Sequence, residues 1–97
     1  MPTYISLIGW TDQGIKSFKD TLDRANAAAQ LAASMGGSVK DTYWTIGAYD
    51  VVSVAEFPDD ESGMAFLLAI GSQGNIRTTT LRAFDREEMG RALAKLG

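Results

Sequence analysis

The alternation of hydrophobic and polar residues along the chain predicts four strands separated by helices. Segments rich in β-branched and aromatic residues predict strands over residues 3–10, 38–45, 50–57 and 76–84. Between these segments the hydrophobic residues recur every three or four positions, as on one side of an amphipathic helix. Helices are therefore expected between residues 11 and 36, between residues 59 and 71, and after residue 85.

The first predicted helix carries one hydrophobic stripe with steps of three and four residues: Ile15, Phe18, Leu22, Ala25, Ala29 and Ala32. Charged and amide side chains occupy the positions between them, as on a solvent-facing helix surface. Thr11 and Asp12 provide an N-cap, and Gly36 with Gly37 ends the helix because glycine adopts a left-handed conformation with little strain. The pattern predicts one long, continuous helix.

The second predicted helix contains seven consecutive hydrophobic residues, Met64 to Ile70. A buried strand would also explain this run, but methionine, alanine and leucine favour a helix. The acidic residues Asp59, Asp60 and Glu61 precede the run, where they would cap a helix and interact favourably with its dipole. We therefore predict a helix that is hydrophobic nearly all round and contacts more than its own sheet.

The order of these elements is βαββαβ followed by a helix, which predicts an α+β, ferredoxin-like fold. Right-handed crossovers then give a fully antiparallel sheet in the order 4-1-3-2. The first and third strands are hydrophobic at both alternating sets of positions, as strands covered on both faces are. This agrees with a central place for both strands. In this fold, however, the two main helices cover only one face of the sheet.

The opposite face of the predicted sheet needs a cover, because a large exposed hydrophobic patch marks an interaction surface. A second copy of the same sheet would supply it, as a face-to-face homodimer or part of a higher oligomer. Alternatively, the C-terminal helix, which begins at a capping box of Asp85 and Glu88, could fold over this face of a monomer. The dimer is preferred because that helix is short.

Composition excludes several classes of function. A chain of 97 residues forms one domain, and its net charge of −3 argues against nucleic acid or an anionic membrane as the main partner. Without cysteine or histidine, the chain has no thiolate nucleophile, no imidazole base and no common haem or zinc ligand set. No metal site is predicted, and a borrowed cofactor such as flavin or haem stays open.

Without a signal peptide or a hydrophobic run of about 20 residues, a cytoplasmic location is expected.

The predicted topology brings five residues to one edge of the sheet: Trp10, Trp44, Tyr49, Asp50 and Arg77. Aromatic walls with a few polar groups are typical of ligand pockets. The tryptophans could stack on a planar ligand, Tyr49 and Asp50 could serve as hydrogen-bond partner and base, and Arg77 could bind a carboxylate or phosphate. Alternatively, Asp50 bonds backbone N–H groups of the turn, Tyr49 packs across a subunit interface, and Arg77 pairs with Asp50.

Five segments, in this order along the chain, resemble the GYD-domain family: Tyr4–Leu7, Trp10–Ile15, Tyr43–Val52 with its Gly-Ala-Tyr-Asp core, Glu56–Asp60 and Gly74–Thr78. The resemblance covers almost the whole chain. It implies a dimeric α+β barrel, in which two ferredoxin-like sheets face one another. It implies no particular activity, and relatives of that architecture range from small oxygenases to ligand-sensing and stress-response proteins.

Two functions follow from these observations. The first is binding, and possible transformation, of a small organic molecule in a cavity between the two sheets of a homodimer. The second is a non-catalytic interaction or ligand-sensing domain, in which the same motif residues serve dimer assembly. Whether the protein is an enzyme stays open, since the residues alone specify neither a substrate nor a reaction.

Overall fold

The structure is a computed structural model that describes residues 1–97, and it contains one four-stranded sheet with four α-helices. The strands are β1 (Thr3–Trp10), β2 (Ser38–Trp44), β3 (Val51–Glu56) and β4 (Ile76–Ala83). The helices are α1 (Asp12–Lys16), α2 (Thr21–Ser34), α3 (Asp60–Ser72) and α4 (Arg86–Ala94), and a 3₁₀ turn (Phe18–Asp20) joins α1 to α2. The predicted order of strands and helices is confirmed apart from the first helix, and the strand ends differ from the prediction by at most one residue.

The sheet has the order β2-β3-β1-β4, and every neighbouring pair is antiparallel, which confirms the predicted topology. Tyr4 pairs with Ala55 of β3 and with Arg82 of β4. Because side chains alternate between faces, Tyr4 and every second residue after it point toward α2 and α3. We call the other face the open face; its large hydrophobic residues are Ile5, Leu7, Tyr43, Val52, Val54 and Leu81.

The buried core is small and lies between α2, α3 and one end of the sheet. Its members are Ala32, Ala55, Phe57, Phe66 and Ile70. The Phe57 ring centroid lies 5.0 Å from that of Phe66 and 6.0 Å from that of Tyr4. Only 9 of the 97 residues are buried, so a single chain covers little of its hydrophobic surface.

The prediction of one continuous first helix is wrong. The chain leaves the α-helical conformation at Ser17, where φ is −110° and ψ is 36°. This break divides the predicted stripe among α1, the 3₁₀ turn and α2. Ala32 is fully buried, whereas the exposed fractions of Phe18 and Leu22 are 51% and 62%.

The break follows from the way α1 contacts the loop between α3 and β4. Gly14 lies so close to this loop that an added Cβ atom would be 1.9 Å from the Asn75 carbonyl oxygen. Thr11 caps α1 as predicted, and its backbone N–H also donates to Asn75 O at 3.1 Å while its hydroxyl donates to Gly74 O at 2.6 Å. These contacts fix the direction of α1, so α2 needs a separate start to reach the sheet.

The C-terminal helix α4 does not cover the open face. Its predicted capping box is present, since Asp85 accepts from the Glu88 backbone N–H and Glu88 accepts from that of Asp85. The helix makes no extensive contact with any strand, and its hydrophobic residues Met89 and Leu93 are at least half exposed. Folding of α4 over its own sheet, the alternative considered for a monomer, is therefore wrong.

Candidate functional site

The predicted edge of the sheet forms as the topology required. Trp10 at the end of β1 pairs with Ile76 at the start of β4, and Trp44 at the end of β2 pairs with Val51 at the start of β3. Both tryptophans lie on the helix-facing side and line one cavity. The other three candidates, Tyr49, Asp50 and Arg77, do not line it, so the five residues do not form a single site in one chain.

Asp50 makes backbone contacts that fix the turn before β3. Its carboxylate Oδ2 accepts from the Trp10 backbone N–H at 2.9 Å, and its own backbone N–H donates to Ile8 O at 2.8 Å. Thr45 closes the turn, because its N–H donates to Asp50 O at 2.9 Å and its hydroxyl donates to Tyr49 O at 2.6 Å. These bonds extend the β1–β3 pairing past the end of the strand. Asp50 therefore has a clear structural role.

Tyr49 and Arg77 lie apart from the cavity. Tyr49 is exposed on the turn between β2 and β3. Arg77 pairs with Gly9 in the ladder, which places its side chain on the open face of the sheet. It forms no ion pair with Asp50, so that part of the alternative interpretation is wrong.

The cavity, called here the inner cavity, has a volume of about 300 Å³ and lies between the sheet and the helix pair α2 and α3. Small residues face one another across it: Ala25 and Ala28 on α2 face Ser6 on β1 and Ser53 on β3. Small side chains on both layers leave the space between them unfilled. The inner cavity is therefore on the opposite side of the sheet from the inter-sheet cavity that the sequence suggested.

A third of the residues that line the inner cavity are polar, and two of them form a pair. The hydroxyls of Ser6 and Thr80 are 2.8 Å apart on adjacent strands. Ser53 donates to the Asp41 carbonyl oxygen at 3.3 Å, so its hydroxyl is already used within the sheet. Most of the remaining lining is hydrophobic, as in small-molecule pockets generally.

Arg24 on α2 is a lining residue that the sequence analysis assigned to the solvent-facing surface. Its Nη2 group donates to the carbonyl oxygens of Gly14 at 3.2 Å and Ser17 at 2.8 Å. Its Nη1 group is buried and has no hydrogen-bond partner. Nothing in the local pattern distinguished Arg24 from the other charged residues on this helix, because its role depends on the break at Ser17.

A second polar cluster lies at the opposite end of β1. The Tyr4 hydroxyl donates to Asp60 Oδ1, and the Arg82 guanidinium lies 5.8 Å from the centroid of the Tyr4 ring. The pKa of Tyr4 is raised to about 12, mainly by burial of the hydroxyl and secondly by its hydrogen bond to Asp60. Arg82 also reaches Glu88 of α4 at 3.6 Å. This cluster joins β1, α3, β4 and α4.

The structure contains no cluster of three or more acidic side chains that could hold a metal ion. None of the helices has the length and hydrophobicity needed to cross a bilayer.

A four-stranded antiparallel sheet in this order, with two helices on one face, defines a ferredoxin-like α+β protein. The GYD domain family model matches residues 4–93, and the chain belongs to that family. This confirms the resemblance drawn from the sequence.

Two proteins of Thermus thermophilus are similar to the chain. One, described as "Glutamine synthetase and cystathionine beta-lyase binding protein", is 33% identical over 84 residues, which cover 86% of this chain and 88% of the relative. The other is the protein TTHA0845, whose crystal structure matches with a TM-score of 0.57 and 26% identity. That match covers 88% of this chain and 95% of the solved one.

Proposed function

We propose that this chain is a non-catalytic binding protein, which dimerises through the open face of its sheet and binds other proteins. The observation that carries the proposal is the amount of exposed hydrophobic surface. Seven hydrophobic residues are buried in the chain, while fifteen large ones are exposed. Two of the exposed residues, Tyr43 and Leu81, lie on the open face beside its half-buried hydrophobic residues, and a contiguous hydrophobic surface of this kind marks an interaction site.

The open face suits a second copy of itself. Its hydrophobic residues alternate along β1, β3 and β4, and two such faces can pack about 10 Å apart, as in a sandwich. Four strands about 4.8 Å apart and about 27 Å long give each face about 500 Å². The pair would bury about 1,000 Å², just below the range of about 1,200–2,000 Å² for stable interfaces.

The outer side of α3 suits a different protein. Met64 and Leu68 lie one turn apart, with exposed fractions of 58% and 65%. They are on the helix that covers the other face of the sheet, so pairing of two open faces leaves them accessible. The description of the Thermus relative as a binding protein for two enzymes supports protein partners of this kind. We place the partner surface on this side of α3.

The dimer is tested by the mass of the protein in solution. Size-exclusion chromatography with light scattering should give twice the mass of one chain for the wild type. Leu81→Lys puts a charge on the open face and should give the mass of one chain, whereas Gln30→Lys on the exposed side of α2 should leave the dimer intact. A wild-type protein that stays monomeric at about 100 μM contradicts the homodimer.

Partner binding is tested with glutamine synthetase and cystathionine β-lyase from the source organism of this chain. Biolayer interferometry on the immobilised protein should detect at least one of them. Leu68→Glu should abolish this binding, while Gln30→Glu should not, and both variants should remain dimers. Equal binding by both variants contradicts the assignment to α3, and no binding of either enzyme contradicts this choice of partners.

A further inference from the structure

We propose that the inner cavity binds a small amphipathic monocarboxylic acid, with its carboxylate on Arg24 and its hydrophobic body between α2, α3 and the sheet. This site is separate from the open face and from the outer side of α3. The proposal therefore stands whether or not the chain dimerises or binds partner proteins.

The size and lining of the cavity define the body of the ligand. Its volume of about 300 Å³ is at the lower end of the range of about 300–1,000 Å³ for small-molecule pockets. The walls include Leu31 and Phe66 of the helices and Trp10 of the sheet, so the ligand must be largely hydrophobic. The walls have no carboxylate side chain that would repel an anion, since no Asp or Glu lines the cavity.

Arg24 defines the head group of the ligand. A guanidinium is charged at all physiological pH values, and buried N–H donors without a partner are rare. In Arg24 the Nη2 group is held by two carbonyl oxygens of the α1 segment, while Nη1 is buried in the wall of the cavity without a partner and reaches a ligand once the guanidinium turns toward the cavity. No acidic residue of the chain pairs with it. A carboxylate is the complement, because it accepts from guanidinium N–H groups and carries one negative charge.

The hydroxyls of Ser6 and Thr80 form a further polar point in the sheet wall of the cavity. The two oxygens are 2.8 Å apart, and each hydroxyl has one proton and two lone pairs, so the pair keeps acceptor capacity and one proton to share. A ligand with a purely hydrophobic body forms no hydrogen bond with either hydroxyl, but the two hydroxyls are already bonded to each other. A simple hydrophobic body is therefore sufficient, and the specificity of the site comes from Arg24.

Decanoate and 1-decanol are suitable probes, because they have the same body and differ in the charge of the head group. The only two tryptophans of the chain, Trp10 and Trp44, both line the inner cavity, so intrinsic fluorescence reports on its occupancy directly. Decanoate should change this fluorescence saturably and bind at least tenfold more tightly than decanol, as expected for a hydrogen bond to a charged group. No saturable binding of decanoate up to 1 mM would overturn the site.

Three variants separate the head group, the cavity and the open face. Arg24→Gln should weaken decanoate about tenfold or more and leave decanol unchanged, which also controls for folding. Ala28→Leu should fill the cavity and weaken both probes, while Ala33→Leu on the exposed side of α2 should affect neither. Leu81→Lys on the open face should bind decanoate like the wild type. Unchanged decanoate affinity in Arg24→Gln overturns the head-group assignment. Loss of decanoate binding in Leu81→Lys overturns the inner cavity as the site and places it between the open faces of two copies.

Discussion

Gly14→Ala tests whether the contact between α1 and the loop before β4 organises this end of the molecule. The added Cβ atom would lie 1.9 Å from the Asn75 carbonyl oxygen and 2.8 Å from its carbonyl carbon. Both atoms belong to the backbone, so rotation of a side chain cannot relieve the overlap. The loop or α1 must move by more than 1 Å to restore ordinary contact distances of about 3.5 Å.

The size of the effect follows from what that movement disrupts. Overpacking at a close contact costs about 1–3 kcal/mol. The two hydrogen bonds that Thr11 makes to the loop contribute about 1 kcal/mol each, and alanine regains up to about 1 kcal/mol in helix propensity. We therefore expect the free energy of unfolding to fall by about 2–4 kcal/mol. In a domain of this size the melting temperature should fall by about 10–25 °C.

The measurement is thermal unfolding followed by far-ultraviolet circular dichroism, with Gly71→Ala as the matched control. Gly71 also lies in a helix, α3, but an added Cβ atom there meets no other atom within 4 Å. The control should melt at or slightly above the wild-type temperature. A Gly14→Ala protein that melts within 2 °C of the wild type would refute the proposed organising role of this contact.

Two further predictions concern the polar groups of β1 and α4. Because the pKa of Tyr4 is raised to about 12 by burial and by its bond to Asp60, its contribution to stability should be complete below pH 10 and lost between pH 10 and pH 12. Urea unfolding of Tyr4→Phe should therefore show a weaker loss of stability over that interval, and equal losses contradict the assignment. Asp85→Ala removes one half of the capping box and should weaken α4 by about 1 kcal/mol. Hydrogen exchange should become faster in α4 alone, and faster exchange throughout the sheet would mean that α4 packs on it.

The sequence was sufficient for the fold because the signals that define it are local. The change of hydrophobic period, the acidic cap before α3 and the capping box at Asp85 each involve residues within one or two turns of each other. The strand order then follows from the handedness of the crossovers. The break at Ser17 was not predictable in this way, because its cause is a contact between Gly14 and Asn75, which are far apart in the sequence.

The candidate site, like the fold, was predicted only where the signals are local. The topology correctly brought Trp10 and Trp44 to one edge, and strand alternation placed both on the helix-facing side. Arg77 is on the other face because it pairs with Gly9, and this register could not be read from the composition of β4 alone. Arg24 was missed because a single arginine on an amphipathic helix normally faces solvent, and only the path of the chain before α2 turns it inward.

The small core links both proposals. Alanines on α2 and serines on β1 and β3 leave the inner cavity unfilled, and the open face of the same sheet has no cover within the chain. Either a second copy or a bound ligand therefore adds stability that the isolated chain lacks. A ligand that binds only the folded state raises the free energy of unfolding by about 2.7 kcal/mol at 100 times its Kd. Decanoate at that concentration should therefore raise the melting temperature of the wild type by about 10–20 °C, and the gain should persist in Leu81→Lys because the ligand and the partner copy occupy opposite faces of the sheet.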